Sequence, residues 1–169
     1  MIKESKNEMV FVIQKHAKSN LHYDLRMEMN GVLKSWKIPK GPSMDSEEKR
    51  LAIMVENYPF AYKDFEGTIP KGNCEEGNVI VWDNGTYSLY DEQNIEAVES
   101  KFKSDLQNGE LHFKLNGKKL KGEFVLLRLK IKQKNAWFLI KKEDQYASKT
   151  DVLKDNKSVV SNLTLGETA

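Results

Sequence analysis

Leu21-His22-Tyr23-Asp24-Leu25-Arg26-Met27-Glu28-Met29-Asn30-Gly31-Val32-Leu33-Lys34-Ser35-Trp36-Lys37-Ile38 is the stretch that decides the fold. In an extended strand successive side chains point to opposite faces, so Leu21, Tyr23, Leu25 and Met27 share one face and His22, Asp24, Arg26 and Glu28 the other. Asn30-Gly31 is the pair that a tight two-residue hairpin demands, because both central positions need positive φ. Val32 to Ile38 supplies the returning strand. The polar face of the first strand carries an imidazole, a carboxylate and a guanidinium in place of the lysine and threonine mixture of a solvated strand.

Outward from this hairpin the chain continues in β-structure. Met9 to Ala17 reads as a preceding strand and Leu51 to Tyr58 as a following one. Gly77 to Asp83, Asn84-Gly85 and Thr86 to Tyr90 repeat the hairpin signal. Gly67-Thr68-Ile69-Pro70-Lys71-Gly72 is turn and loop. One segment has helical spacing: Ile95, Val98, Phe102 and Leu106, ended by Asn108-Gly109. Leu111 to Leu115, a turn at Asn116-Gly117, Phe124 to Ile131 and Ala136 to Lys141 add further strands. Roughly eight strands with one or two short helices describe a mostly β domain, a barrel or a sandwich. Residues 1–148 form this domain, and 149–169 turn polar without a period and read as a tail or linker.

A chain of 169 residues is the size of one domain. No apolar run is long enough to cross a bilayer and no signal segment precedes Val10, so a soluble, cytoplasmic protein is expected. Cys74 is the lone cysteine, which excludes an intrachain disulfide framework. The net charge of +2 and pI of about 8.5 are too mild to announce nucleic acid through the whole-protein field.

The chemistry concentrates in Gln14 to Arg26, which holds His16 and His22, two of the three histidines, beside Asp24 and Arg26. Residues two apart on a strand are about 6.6 Å from each other, so His22 and Asp24 can lean onto one ion. His16 reaches the same ion from the preceding strand. Two histidines and one carboxylate suit a divalent metal with open coordination positions. A rival set joins His22 and Asp24 to His112 and Arg128, imitating the facial triad and cosubstrate arginine of an iron-dependent oxygenase on a β-sandwich. Glu110 and Lys114 flank His112 and make it read as an ordinary surface residue. Trp36, Trp82 and Trp137 lie among alternating apolar residues and are assigned to packing.

A series of stretches, in order, resembles the 3′-phosphoesterase domain of bacterial and archaeal DNA ligase D, the nonhomologous end-joining ligase. They are Phe11 to His16, Leu21 to Arg26, Gly31 to Trp36, Pro39 to Ser43, Lys49 to Ala52, Asp64 to Pro70, Gly77 to Asp83, Leu120 to Gly122 and Trp137 to Lys141. The resemblance covers about Met9 to Ala147 and implies a compact β-barrel. It implies a manganese-dependent enzyme of DNA repair that removes 3′-terminal ribonucleotides and then 3′-phosphates from primer-template ends. By position, His16, His22 and Asp24 would hold the metal, and Arg26 and Lys40 would contact the phosphate. Arg50, Glu56 and Tyr62 match further active-site positions. A monomer is expected, working on DNA or RNA/DNA 3′ ends beside end-joining ligase, polymerase or Ku-like proteins, with no membrane. Both a free-standing protein and a piece of a ligase fit this chain.

Two departures stand out. Tyr58 occupies the position before Pro59 where the family has a histidine, and a phenol, with an ordinary pKa of about 10, is a poor proton donor at neutral pH. This gives the alternative reading of a catalytically impaired nucleic-acid-binding module of the same fold. Asn73-Cys74-Glu75-Glu76-Gly77 replaces a loop that usually carries an aromatic and small residues, and its acidic side chains would repel DNA if they faced the site.

Overall fold

The computed structural model describes residues 8–18, 20–72, 76–89, 94–132 and 135–168. Among the described residues nine strands run in chain order: β1 (Met9–Ala17), β2 (Leu21–Met29), β3 (Val32–Ile38), β4 (Lys49–Pro59), β5 (Gly67–Ile69), β6 (Gly77–Ser88), β7 (Glu110–Gly117), β8 (Lys121–Arg128) and β9 (Ala136–Lys141). All pair antiparallel, in the order β1-β2-β3-β4-β9-β8-β7-β6, and β6 returns to β1 to close an eight-stranded barrel. The short β5 adds to the exposed edge of β6 beside the seam. The expected mostly β barrel is therefore the observed fold.

The β2–β3 hairpin forms as its sequence dictates. Met29 pairs with Val32, and Asn30 and Gly31 both hold positive φ, 51° and 79°. The second Asn-Gly pair does not turn. β6 runs unbroken from Gly77 to Ser88, with Asn84 opposite Val12 and Gly85 opposite both Phe11 and Gly117. Ladders on both edges hold the backbone extended, and they override local turn chemistry. Gly85 is needed for close approach instead, since a Cβ there would lie 2.1 Å from the Asn116 carbonyl oxygen. Tyr90, the expected end of that hairpin, lies outside the described residues. The turn expected at Asn116-Gly117 falls at residues 118–120, where the backbone amides of Lys118, Lys119 and Leu120 all donate to the buried Asp83 carboxylate.

The one α-helix among the described residues, α1 (Ile95–Asn108), sits where the apolar spacing placed it. Asn94 caps its first amides and Gly109 ends it in the left-handed conformation. Val98 and Phe102 are its buried residues, and Phe102 meets Tyr87 at 6.1 Å. The barrel interior is filled by alternate residues of each strand, including Phe11, Ile13, Leu25, Met27, Trp36, Phe113, Phe124, Trp137 and Leu139. All three tryptophans are buried, as expected.

Residues 149–168 run along the barrel wall. Leu153 packs against Gly41 and Tyr23, the Trp82 indole donates to the Asp155 carbonyl at 2.6 Å, and the Val159 amide donates to the Val81 carbonyl at 3.0 Å. No helix of the described residues is long and apolar enough to cross a membrane.

Candidate metal centre

Strand alternation and register assemble the site on the outer wall of β1 to β3. In β2 every residue but Leu21 is buried, so the polar face is covered as fully as the apolar one. His16 of β1 stands opposite His22 of β2, and Gln14 opposite Asp24. This juxtaposition brings residues six and ten apart in sequence into contact. The cover is the segment from Tyr58 through the short 3-10 helix Phe60–Asp64 to Phe65, tied down by Gln14, whose Nε2 donates to the carbonyls of Tyr62 (2.8 Å) and Phe65 (3.2 Å).

His16, His22 and Asp24 form the group suited to a metal ion among the described residues. Asp24 Oδ2 lies 3.2 Å from His22 Nε2 and 4.0 Å from His16 Nδ1, and the two rings are 4.8 Å apart. Two ligands about 2.2 Å from one ion are at most about 4.4 Å apart, and both separations fit. His16 turns its other nitrogen, Nε2, to the Glu76 carbonyl at 3.3 Å. A ligating histidine commonly donates its remote N–H to a carbonyl, which fixes the ring and leaves Nδ1 as the ligand atom. The donor set therefore fits a divalent cation.

Arg26 is the second layer of this centre. Its Nη2 donates to Asp24 Oδ2 at 3.4 Å, its Nε to Gln14 Oε1 at 2.6 Å and its Nη1 to Ser35 Oγ at 2.9 Å. The Tyr58 ring covers the guanidinium face at 3.7 Å, with Tyr62 at 5.1 Å and Phe65 stacked on Tyr62. Such a desolvated cation–π contact is worth about 2 kcal/mol. The Arg26 side chain is only 2% exposed.

A sequence model of the DNA ligase D 3′-phosphoesterase domain matches residues 14–128, which include this whole cluster. The chain belongs to the DNA ligase D 3′-phosphoesterase domain family. It is 43% identical over 168 residues to the multifunctional non-homologous end joining protein LigD of Pseudomonas aeruginosa, a match covering 96% of this chain and 19% of that protein. The Mycolicibacterium smegmatis protein of the same name is 36% identical over 144 residues, 85% of this chain and 18% of its own length. The Mycobacterium tuberculosis non-homologous end joining DNA repair protein LigD is 40% identical over 118 residues, 70% of this chain and 14% of its own. This member of the phosphoesterase domain family thus spans about a fifth or less of the curated relatives it matches.

The remaining predicted positions of the family member fall in two further places. Arg50 donates to the carbonyls of Lys40 (2.7 Å) and Gly41 (3.3 Å) and to Glu48 Oε2 (3.2 Å), so Lys40 and Arg50 share one corner. That corner continues past Ile38, the register partner of Tyr23, toward the His22 end of β2. Glu56 is exposed on the wall, lining a cleft with Lys34, Arg128 and Trp137. His112 pairs with Glu110 Oε2 at 2.7 Å on β7, with β1 and β6 between it and β2. Arg128 donates to the carbonyls of Leu106 and Gln107, closing the C-terminal end of α1. The oxygenase arrangement is thereby excluded. Of the divergent loop, residues 73–75, Cys74 among them, lie outside the described residues. The Glu76 carboxylate accepts from the Gly72 amide at 3.3 Å.

Gln14 and Ser35 are the residues that sequence reasoning left without a role. Neither carries a local spacing signal. Their link to Arg26 arises only from register across β1, β2 and β3, where Arg26 faces Val12 on one side and Ser35 on the other.

Proposed function

We propose that this chain is a DNA end-processing phosphoesterase, which hydrolyses 3′-terminal phosphate esters in DNA repair by nonhomologous end joining. The reading includes both removal of a 3′-terminal ribonucleotide and removal of a 3′-phosphate. The observation that carries it is the buried His16-His22-Asp24 triad backed by Arg26, in a member of this family. His16, His22 and Asp24 would hold a divalent ion, Mn²⁺ in this reading. Such an ion supplies a Lewis acid to a phosphoryl oxygen. Arg26 fixes the Asp24 carboxylate and, with Lys40, offsets negative charge on the substrate's oxygens. Arg50 holds the Lys40 loop by its carbonyls, and Tyr62 and Glu56 complete the carried-over set. The intact triad and the family match favour turnover over a docking-only role for the fold.

In this reading residues 1–148 carry the activity and 149–169 form the segment beyond it. The partners are DNA or RNA/DNA 3′ ends, with ligase, polymerase or Ku-like proteins acting on the same break in the cytosol or nucleoid. The test is a metal-by-substrate screen on labelled primer-templates ending in one ribonucleotide or a 3′-phosphate. Mn²⁺ is expected to stimulate release of either group, and His22→Ala and Asp24→Ala to abolish it. No release by the unaltered protein with any metal would sink the proposal.

A further inference from the structure

We infer that the cleft lined by Lys18, Thr68, Ile69, Pro70, Lys71 and Glu76 is a subsite for the sugar–phosphate backbone of the substrate strand, upstream of its terminal phosphate. The inference rests on the phosphoesterase reading and adds where the rest of the strand lies. Its first support is position. Glu76 belongs to the cleft and to the metal centre at once, since its carbonyl pairs with His16 Nε2. Thr68 and Ile69 of β5 pair with Asn78 and Gly77 of β6, and the next residue of β6, Val79, is the partner of His16. The cleft wall and the first metal ligand are therefore joined through three consecutive residues of one strand. Among the described residues, the clefts around Tyr87 and Tyr146, around Lys63 and Lys118, around Asp45 and Lys149, and around Glu56 and Trp137 are lined neither by a triad residue nor by Glu76.

The second support is chemistry. The cleft holds about 460 Å³ and is mostly apolar along Ile69 and Pro70, a surface that sugars and base faces can lie against. Lys18 and Lys71 are both exposed and stand on different elements, one just past β1 and one just past β5. Flexible ammonium groups act as point charges that follow a phosphate backbone without reading sequence. The Glu76 carboxylate, the acid of this wall, is turned back onto the Gly72 amide and so closes its own turn. An apolar floor bordered by two separated cations, opening beside a centre for phosphate esters, matches a strand better than an isolated anion.

The experiment compares the Lys18→Ala/Lys71→Ala double variant with the unaltered protein on two substrates, a labelled primer strand ending in a 3′-phosphate and a deoxynucleoside 3′-phosphate, both with Mn²⁺. The expected loss in kcat/KM is about tenfold larger on the strand than on the mononucleotide, and lies mainly in KM. The log-affinity against log-salt slope for the strand falls by about 1.4, two phosphate contacts at about 0.7 each. A Lys114→Ala/Lys121→Ala variant, altered at a different cleft, serves as the control for general charge loss and is expected to behave as the unaltered protein. Equal losses on both substrates, or an unchanged salt slope, would overturn the inference. If the unaltered protein turns over neither substrate, the phosphoesterase reading fails by itself. Fluorescence anisotropy of the 3′-phosphorylated strand then decides: weaker binding by the double variant sustains the subsite, and equal or absent binding overturns it.

Discussion

Replacing Gln14 by leucine tests whether the outer-wall site is held as a unit. Gln14 is fully buried and makes three contacts: it accepts from Arg26 Nε at 2.6 Å and donates to the carbonyls of Tyr62 and Phe65. A hydrogen bond to a charged group contributes about 1.5–3 kcal/mol, and two neutral ones about 0.5–1.5 kcal/mol each. Leucine of similar volume regains about 1.5 kcal/mol by apolar burial. The expected net loss is about 3 kcal/mol. With a urea slope of about 2 kcal/mol per molar, the midpoint falls by about 1.5 M, and a domain of ordinary stability remains folded at 25 °C. Urea melts of Gln14→Leu, Arg26→Met and the double variant give the coupling between the two side chains, expected at about 2 kcal/mol. A loss under about 1 kcal/mol, or additivity in the cycle, would refute the claim that Gln14 anchors Arg26 and its cover.

Four other outcomes are expected. Tyr58→Ala should lower turnover about thirtyfold, the worth of a desolvated cation–π contact of about 2 kcal/mol, and Tyr58→Phe should lose far less; equal losses in a kcat measurement would assign the role to the hydroxyl instead. Asp83→Asn should destabilise the domain by about 2 kcal/mol in thermal melts, because an amide NH₂ would face backbone donors at Lys118, Lys119 or Leu120, and an unchanged Tm would refute this. Lys141, whose side chain is 0% exposed, donates to Asp144 Oδ1 at 2.6 Å, so Lys141→Met should cost about 3 kcal/mol at pH 7. Burial pushes the Asp144 carboxyl up, but the Lys141 ammonium and the Glu123 and Tyr146 amides outweigh it and hold the pKa below its ordinary value of 3.8. A carboxyl lowered in the folded state stabilises above its unfolded pKa and loses that contribution as pH falls through the folded value, so Asp144→Asn should flatten the stability profile below about pH 4. Parallel acid limbs for the two proteins would contradict this account.

The Asn30-Gly31 hairpin, the α1 spacing and the alternation along β2 were legible from residues alone, because each rests on backbone preferences and periodicities that act over a few neighbours. The candidate metal ligands His22 and Asp24 were legible for the same reason, as they share a face by period two. Asn84-Gly85 misled because its chemistry is that of a turn, whereas pairing with β1 on one edge and β7 on the other keeps it straight. Such pairing is nonlocal and leaves no mark in a short window.

Tertiary structure alone decided what stands behind the candidate ligands. Gln14, Ser35 and Tyr58 meet at Arg26 only because three strands register and the chain from Tyr58 to Phe65 folds over them. It likewise set Lys40 with Arg50 in one corner and Glu56 on another wall, and it separated His112 from His22 and Asp24 by two strands. The sequence by itself determined which side chains can bind a cation and which face of a strand they share. The tertiary structure determined their cover and the cleft beside them, since those depend on contacts between residues that the chain itself keeps far apart.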